Sequence, residues 1–248
     1  MMGDLKNRGE AGRQLATAIL RLGLVDPLVL ALPRGGVPVA AEVALALAAP
    51  MDLLIVHKIG APGDPQLAVA AMAEGKPPTV VIDESTSQST EGDHAYIKRQ
   101  VREQRGEIVR RGKAYRHGLA RLGVSGRTVV VVDDGIATGT TMRAALKALR
   151  RMRPAQVVLA VPVASNHTIS ELSKLVDHVV CLSQPGPFRS VGMYYADSHQ
   201  VDDEEVIALL DASRIPHEHN PEARELRSGE PPLVLPSRSE PVDPTELP

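Results

Sequence analysis

The chain has 248 residues, of which 43% are apolar and 23% charged, a composition that supports a substantial globular core. The formal net charge of -2 gives the molecule no overall attraction for nucleic acid, so nucleic acid is an unlikely partner. A lone cysteine, Cys181, excludes an intramolecular disulfide and a cysteine-based metal cluster. No apolar run reaches the roughly 18 residues of a membrane span, and no signal-peptide pattern opens the sequence. We therefore expect a soluble, cytoplasmic protein.

Apolar β-branched runs alternate with helical patterns over residues 1–212. Several runs are continuously apolar, which is typical of strands covered on both faces of a parallel sheet. The repetition predicts an α/β fold with a doubly wound, mostly parallel sheet. The predicted strands are 28–32, 52–56, 79–83, 128–132, 156–161 and 178–182, and the predicted helices are 8–22, 38–48, 92–116, 140–152, 165–175 and 203–210.

A glycine-rich loop separates the first predicted strand from the helix 38–48. Gly35 and Gly36 permit a sharp turn with exposed amides, and Arg34 can hold phosphate oxygens through two parallel hydrogen bonds. Taken alone, the segment also fits an ordinary glycine turn with a surface arginine.

Two further segments in the first half of the chain carry positive charge. Lys58 follows the second predicted strand and precedes a stretch rich in glycine and proline, residues 60–63. The predicted helix 92–116 contains eight lysines and arginines. Its apolar residues follow helical spacing, so the basic residues form either a solvated face or a surface for an anionic partner.

The most informative segment is 129–141, with the sequence VVVVDDGIATGTT. A buried strand ends in Asp133 and Asp134, a loop with two glycines follows, and a helix begins at Thr140. In an open α/β sheet such a loop lies at the ligand-binding edge. Backbone amides at the helix N-terminus and threonine hydroxyls suit a phosphate monoester, whereas ionised aspartates accept hydrogen bonds from hydroxyl groups. The pattern therefore favours a ribose 5-phosphate.

Two alternative interpretations account for parts of this segment. An apolar strand ending in two aspartates also occurs in P-loop NTPases, but the required G-x-x-x-x-G-K-[ST] segment is absent from this sequence. An ordinary strand-turn-helix junction with capping threonines explains one Thr-Gly pair, but not the whole segment.

The segment 129–141 resembles the PRPP-binding motif of type I phosphoribosyltransferases, and residues 5–211 are similar to a bacterial group described as predicted phosphoribosyltransferases. The resemblance implies that Asp133 and Asp134 bind the ribose hydroxyls. It places the 5-phosphate on Ala137, Thr138, Gly139, Thr140 and Thr141. It also places pyrophosphate on Arg34, Gly35 and Gly36, with Lys58 as a further cation and residues 60–63 at the position of a mobile lid.

Three of the five aromatic residues lie within positions 188–195. In the family a small hood holds the acceptor, so Phe188, Arg189, Tyr194 and Tyr195 are its predicted residues here. Clustered rings suit stacking on a flat base, although local packing of the last strand is an alternative. In the 6-oxopurine enzymes an aspartate stands where this chain has Ala137, so adenine, a pyrimidine or a non-nucleobase amine stays open as the acceptor.

The resemblance implies an Mg2+-dependent transfer of 5-phosphoribosyl from PRPP to a nucleobase-like nitrogen, with release of pyrophosphate. Mg2+ would be held mainly through PRPP, with Asp133 and Asp134 as candidate ligands. A homodimer is an open alternative to a monomer. Two other functions are also open, namely a non-catalytic PRPP sensor that regulates nucleotide metabolism and a hydrolase of phosphorylated sugars.

The last segment, residues 213–248, differs from the rest of the chain. Residues 216–248 hold eight of the twenty prolines, together with glutamate, serine and arginine. Such a composition buries too little apolar surface to offset the entropy of ordering. We therefore predict a phosphoribosyltransferase-like domain over 1–212 and a disordered tail over 213–248.

Overall fold

The computed structural model describes residues 5–75, 77–90, 94–213 and 235–236. Its helices are α1 (Arg8–Leu20), α2 (Gly36–Leu47), α3 (Glu84–Ser89), α4 (His94–Tyr115), α5 (Thr140–Arg151), α6 (Asn166–Leu172) and α7 (Asp203–Ala212). Its strands are β1 (Pro27–Ala31), β2 (Met51–Leu53), β3 (Val56–Ala61), β4 (Asp64–Ala73), β5 (Thr79–Ile82), β6 (Thr128–Val132), β7 (Gln156–Val163), β8 (His178–Ser183) and β9 (Leu235–Pro236).

The main sheet has six strands in the order β2-β1-β6-β7-β8-β9, and every pair except β8 with β9 is parallel. Alternate residues of β1, β6 and β7 enter two separate apolar cores. Helices α1, α2 and α7 cover one face of the sheet, and α5 and α6 cover the other. This arrangement confirms the predicted doubly wound fold and explains the continuously apolar strands.

The structure contains a second sheet of three antiparallel strands, in the order β3-β4-β5, which the sequence analysis did not predict. The predicted strand 52–56 is divided, since β2 ends at Leu53 and β3 begins at Val56. The predicted strand 79–83 belongs to this small sheet, where β5 pairs with β4. Alanine-rich β4 was missed because alanine is a poor strand former, and its pairing with β3 and β5 is what makes it a strand.

A buried ion cluster joins the edge of the main sheet to the small sheet. Arg116, which follows α4, is 3% exposed and donates from Nε to Asp52 of β2 at 2.7 Å. Its Nη2 donates to Glu74, at the end of β4, at 2.8 Å and to the carbonyl of Leu53 at 2.7 Å. Asp52 also accepts from the backbone amide of Leu122 at 2.8 Å. The cluster therefore connects β2, β4, α4 and the loop that precedes β6.

Most of the predicted disordered tail, 213–248, lies outside the described residues. Within the described part of the chain, no helix has the length and apolar character needed to cross a membrane.

Candidate functional site

The candidate site lies where the strand order of the main sheet reverses. The chain leaves β1 toward β2 on one side, while β6 pairs with β1 on the other. The loops after β1 and β6 therefore diverge from adjacent strand ends and leave a crevice, which is where open α/β sheets bind ligands. These are the loops predicted to bind pyrophosphate and ribose 5-phosphate. The Leu32 amide donates to the Val132 carbonyl at 2.9 Å and fixes their relative position.

The two glycines of the first loop touch the two aspartates of the second. A Cβ placed on Gly35 would lie 2.2 Å from Oδ2 of Asp134. A Cβ on Gly36 would lie 2.8 Å from both the Asp133 Cα and the Val132 carbonyl oxygen. Close approach of the backbone therefore requires glycine at position 36, whereas a side chain at position 35 would have to displace the Asp134 carboxylate.

Replacing Gly36 with alanine is expected to destabilise the fold by about 1–3 kcal/mol, because the new methyl group meets backbone atoms that cannot rotate away. Gly106, in α4, offers a matched control, since a Cβ there has no heavy atom within 4 Å. Gly106→Ala should stabilise the protein by about 0.5–1 kcal/mol through helix propensity. Urea unfolding measures both variants, and shifts of the same sign and size would contradict the packing described for Gly36.

The paired aspartates have different environments. Oδ2 of Asp134 accepts a hydrogen bond from Nε of Arg8 at 2.8 Å and lies 2.7 Å from Nη2 of the same guanidinium. Among the described residues no cation forms an ion pair with Asp133, and its Oδ1 accepts from the Asp134 amide at 2.9 Å. Burial, followed by repulsion from the Asp134 carboxylate, raises the pKa of Asp133 well above the usual aspartate range. One carboxylate of the pair is thus balanced by an arginine, and the other has a high proton affinity.

The predicted phosphate loop, 137–141, is anchored by α6. Oγ1 of Thr168 donates to the Ala137 carbonyl at 2.7 Å, and the Ile136 amide donates to the Val163 carbonyl at 2.9 Å. Gly139, the N-cap of α5, has φ +76°, and no side chain caps the helix there. Ala137 and Thr138 are exposed, whereas Thr140 is buried. Within the described part of the chain, the N-cap thus supplies no side-chain acceptor to the first-turn amides of α5, an arrangement that suits a phosphate site.

Arg34 lies at the exposed rim of the first loop. Its Nη1 is 3.7 Å from Oδ1 of Asp203, the first residue of α7. Asp203 also accepts from the Tyr115 hydroxyl at 2.7 Å, and burial, followed by this hydrogen bond, raises the pKa of Tyr115 to about 12. Asp203 therefore connects the start of α7 with the predicted pyrophosphate loop and with α4.

Lys58 and the predicted lid belong to the small sheet. Lys58 is exposed in the middle of β3, opposite Ala71, and does not follow a strand of the main sheet. Residues 60–63 form the end of the β3–β4 hairpin rather than an irregular loop, with register shifts on both sides of Gly60. The Tyr96 hydroxyl of α4 donates to the Gly60 carbonyl at 3.0 Å. The hairpin is therefore the element that occupies the predicted lid position.

The predicted hood divides into two parts. Phe188 and Tyr194 contact each other with ring centroids 5.1 Å apart, and Arg189 is exposed beside them. Tyr195 is 4% exposed, so its ring has no free face for a base, and its prediction as a stacking residue is wrong. Its hydroxyl donates to the Asp134 carbonyl at 2.5 Å. Burial, followed by the Asp134 charge, raises the Tyr195 pKa, so the hydroxyl keeps its proton.

Sequence reasoning missed the residues that support the site from a distance. Arg8 reaches Asp134 across 126 positions, and Val191 lies against Gly135, where an added Cβ would be 2.7 Å from it. Only long-range contacts reveal these roles. Thr168 had a local signal, because Ser165 and Thr168 form the N-terminal cap of α6. Burial raises the pKa of the Cys181 thiol to about 11.

The carboxylates fit a magnesium ion that is held largely by substrate. Within the described ranges, no three His, Cys, Asp or Glu side chains converge as a metal site. Asp133 and Asp134 nevertheless offer adjacent carboxylate oxygens, the ligand type that Mg2+ prefers. Mg2+ usually takes only one or two carboxylates and completes its coordination with water and phosphate oxygens.

Comparison with known proteins identifies similar chains. The protein named "Putative phosphoribosyl transferase Rv0571c" from Mycobacterium tuberculosis is 42% identical over 205 residues, which cover 83% of this chain and 46% of the relative. The chain thus spans about half the length of this curated relative. The "Bifunctional protein PyrR" of Pediococcus pentosaceus is 32% identical over 108 residues, which cover 43% of this chain and 58% of that protein.

A solved structure is similar to this chain in both fold and sequence. The crystal structure of TT1426 from Thermus thermophilus superposes with a TM-score of 0.70 at 42% identity, covering 83% of this chain and 97% of that chain. The family model described as the phosphoribosyl transferase domain matches residues 2–197, which include both loops of the crevice. The chain therefore belongs to the type I phosphoribosyltransferase family.

Proposed function

We propose that the protein transfers the 5-phosphoribosyl group of PRPP to a nitrogenous, nucleobase-like acceptor and releases pyrophosphate. The observation that carries this proposal is the contact between Gly35 and Gly36 of one loop and Asp133 and Asp134 of the other. A single ligand in the crevice would meet amides, carboxylates and a helix N-terminus in turn. PRPP presents pyrophosphate, ribose hydroxyls and a 5-phosphate in the same order.

Each group of the chain would have a defined task. The first-turn amides of α5 would bind the 5-phosphate, and Asp133 and Asp134 would accept hydrogen bonds from the ribose hydroxyls. The loop 34–36 would hold pyrophosphate through its amides and the Arg34 guanidinium. Lys58 is proposed as a second cation for the leaving group once the β3–β4 hairpin closes over the crevice.

The proposed reaction is a substitution at C1 of the ribose. The bond from C1 to the pyrophosphate oxygen breaks and its electron pair leaves with pyrophosphate, while the acceptor nitrogen forms the new bond and releases its proton to water. Positive charge develops on the ribose ring, so positioning and electrostatic stabilisation supply the catalysis. Mg2+, bound with PRPP and with Asp133 or Asp134 as ligands, would neutralise charge on the pyrophosphate.

The acceptor would lie beneath the exposed part of the hood. Phe188 and Tyr194 provide a tilted aromatic pair, with ring planes 31° apart, and Arg189 provides a cation beside them. Such a surface suits a flat ring that carries an acidic or carbonyl group. Alanine at position 137 disfavours the 6-oxopurines, which leaves adenine, a pyrimidine or a non-nucleobase amine.

Calorimetric titration with Mg2+ and PRPP tests the binding part of this proposal. PRPP should bind, and ribose 5-phosphate should bind more weakly because it lacks the pyrophosphate held by loop 34–36. Adenosine, which has ribose hydroxyls but no phosphate, should not bind at this site. Failure to bind PRPP, or equal affinity for PRPP and adenosine, would contradict the proposal.

The PRPP-sensing regulator is the second candidate, favoured by the exposed basic surface of α4. Its lysines and arginines between positions 98 and 113 outnumber its two acidic residues in that range, Glu103 and Glu107. A sensor would bind PRPP without releasing pyrophosphate, and a nucleic-acid or protein partner on α4 would bind more weakly as salt is raised.

A further inference from the structure

A buried ion pair connects the N-terminal helix to the paired aspartates. Arg8 is the first residue of α1, and its guanidinium contacts Oδ2 of Asp134 through both Nε and Nη2. The Arg8 and Asp134 side chains are only 11% and 15% exposed. Because water is partly excluded, the electrostatic attraction within this pair is stronger than the attraction within a surface salt bridge.

Arg8 is itself held in place by the segment that follows the hood. Its Nη1 donates to the His199 carbonyl at 2.7 Å, and its guanidinium lies over the Tyr195 ring, 5.4 Å from the centroid. The Tyr195 hydroxyl in turn donates to the Asp134 carbonyl. Arg8 therefore has a fixed orientation, and both the backbone and the side chain of Asp134 are restrained by this arrangement.

The ion pair with Arg8 uses only one oxygen of the Asp134 carboxylate. Both Arg8 contacts use Oδ2, so neither occupies Oδ1. The guanidinium also supplies a positive charge beside two adjacent carboxylates. That charge weakens the repulsion between the two carboxylates and their repulsion of an anionic ligand such as PRPP.

We infer that Arg8 is a positioning residue for PRPP. It holds Asp134 in the rotamer in which Oδ1 can accept a ribose hydroxyl, and it offsets the charge of the aspartate pair. This inference rests on the proposed function and adds α1 to the site. Arg8 acts through Asp134, so its contribution should disappear when the Asp134 carboxylate is removed.

A double-mutant cycle on the full chain tests this coupling, with calorimetric binding of PRPP and Mg2+ as the measurement. Arg8→Met should weaken binding by about tenfold or more, as expected for loss of a charge-assisted contact. Arg8→Lys should restore part of the affinity because it keeps the charge but not the two-nitrogen contact. In an Asp134→Asn background, Arg8→Met should change the affinity by less than about threefold.

Arg13 provides the matched control on the same helix. It pairs with Glu10 and Glu42 near the surface, so Arg13→Met should leave PRPP binding unchanged. Additive effects in the cycle, or wild-type affinity in Arg8→Met, would overturn the inference while leaving the proposed function intact. A wild-type protein that binds no PRPP would overturn both. If Arg8→Met does not fold, the double-mutant cycle is measured with Arg8→Lys instead.

Discussion

Replacing Arg116 with methionine is expected to lower the free energy of unfolding by about 3–5 kcal/mol, the largest stability effect that we predict for a single substitution. Arg116 is the cation between two carboxylates, and its side chain is 4% exposed. Methionine fills a similar volume but leaves Asp52 and Glu74 without their shared cation. Of the cations among the described residues, Glu74 would keep only Arg121, at 3.8 Å, whereas Asp52 would become a buried carboxylate without its arginine, which is far more costly than the loss of an attraction.

The helix that precedes Arg116 also supplies the control for this experiment. Arg110 makes two hydrogen bonds to Glu107 at 2.7 and 2.8 Å, but its side chain is 67% exposed. Arg110→Met should therefore leave the urea midpoint nearly unchanged. The urea midpoint of Arg116→Lys should lie between the midpoints of Arg116→Met and Arg110→Met, because an ammonium cannot reach Asp52, Glu74 and the Leu53 carbonyl together. Equal midpoints for the Arg116 and Arg110 variants would contradict the buried cluster.

Asparagine substitutions at Asp133 and Asp134 are expected to have the same effect on PRPP binding and opposite effects on stability. Each removes a charged acceptor for a ribose hydroxyl, worth about 1.5–3 kcal/mol, so each should weaken binding by roughly 10- to 100-fold. Asp134→Asn also leaves the Arg8 guanidinium without its carboxylate. We expect that loss to destabilise the fold by about 1–3 kcal/mol.

Asp133→Asn should instead stabilise the metal-free protein as the pH rises. The folded pKa of Asp133 lies above the unfolded value of about 3.9, so between these values the folded state binds more protons than the unfolded state. Stability contributed by this proton is present below pH 4 and is lost as the pH rises through the folded pKa. Asparagine does not titrate, so the stability of the variant relative to wild type should increase as the pH rises toward 8.

Thermal unfolding in EDTA between pH 4 and pH 8 measures this difference. The interval between the melting temperatures of Asp133→Asn and wild type should widen with pH, and Asp134→Asn should melt below wild type at neutral pH. An Asp133→Asn variant that melts lower than wild type at pH 8 would contradict the electrostatics described for the pair.

The sequence predicted the main sheet and the position of the crevice because both depend on local patterns. Continuous valine runs mark buried parallel strands, and the segments 33–37 and 133–141 have unusual glycine, aspartate and threonine content. The prediction that these loops form one site followed from the rule for open sheets, and the structure places Gly35 and Gly36 against Asp133 and Asp134.

Features that depend on distant partners could not be predicted in the same way. The alanine-rich β4 becomes a strand only between β3 and β5, and nothing near Arg8 or Arg116 in the sequence indicates which carboxylates they meet.

The clustering of aromatic residues near the hood predicted Phe188 and Tyr194 as acceptor residues, and the structure shows that their rings contact each other. Their role toward an acceptor stays a prediction. The same prediction does not hold for Tyr195, because that ring is buried beneath Arg8 and its hydroxyl donates to the Asp134 carbonyl, contacts that the local sequence does not indicate.

Release of pyrophosphate from PRPP in the presence of Mg2+ is the most direct test of phosphoribosyl transfer. The assay compares wild type with an Asp133→Asn, Asp134→Asn double variant, each with and without pooled purines, pyrimidines and aromatic amines. We predict release by wild type that depends on the acceptor pool and is absent in the double variant; dividing the pool then identifies the acceptor. Equal release by both proteins, or release that needs no acceptor, would contradict the proposed transferase.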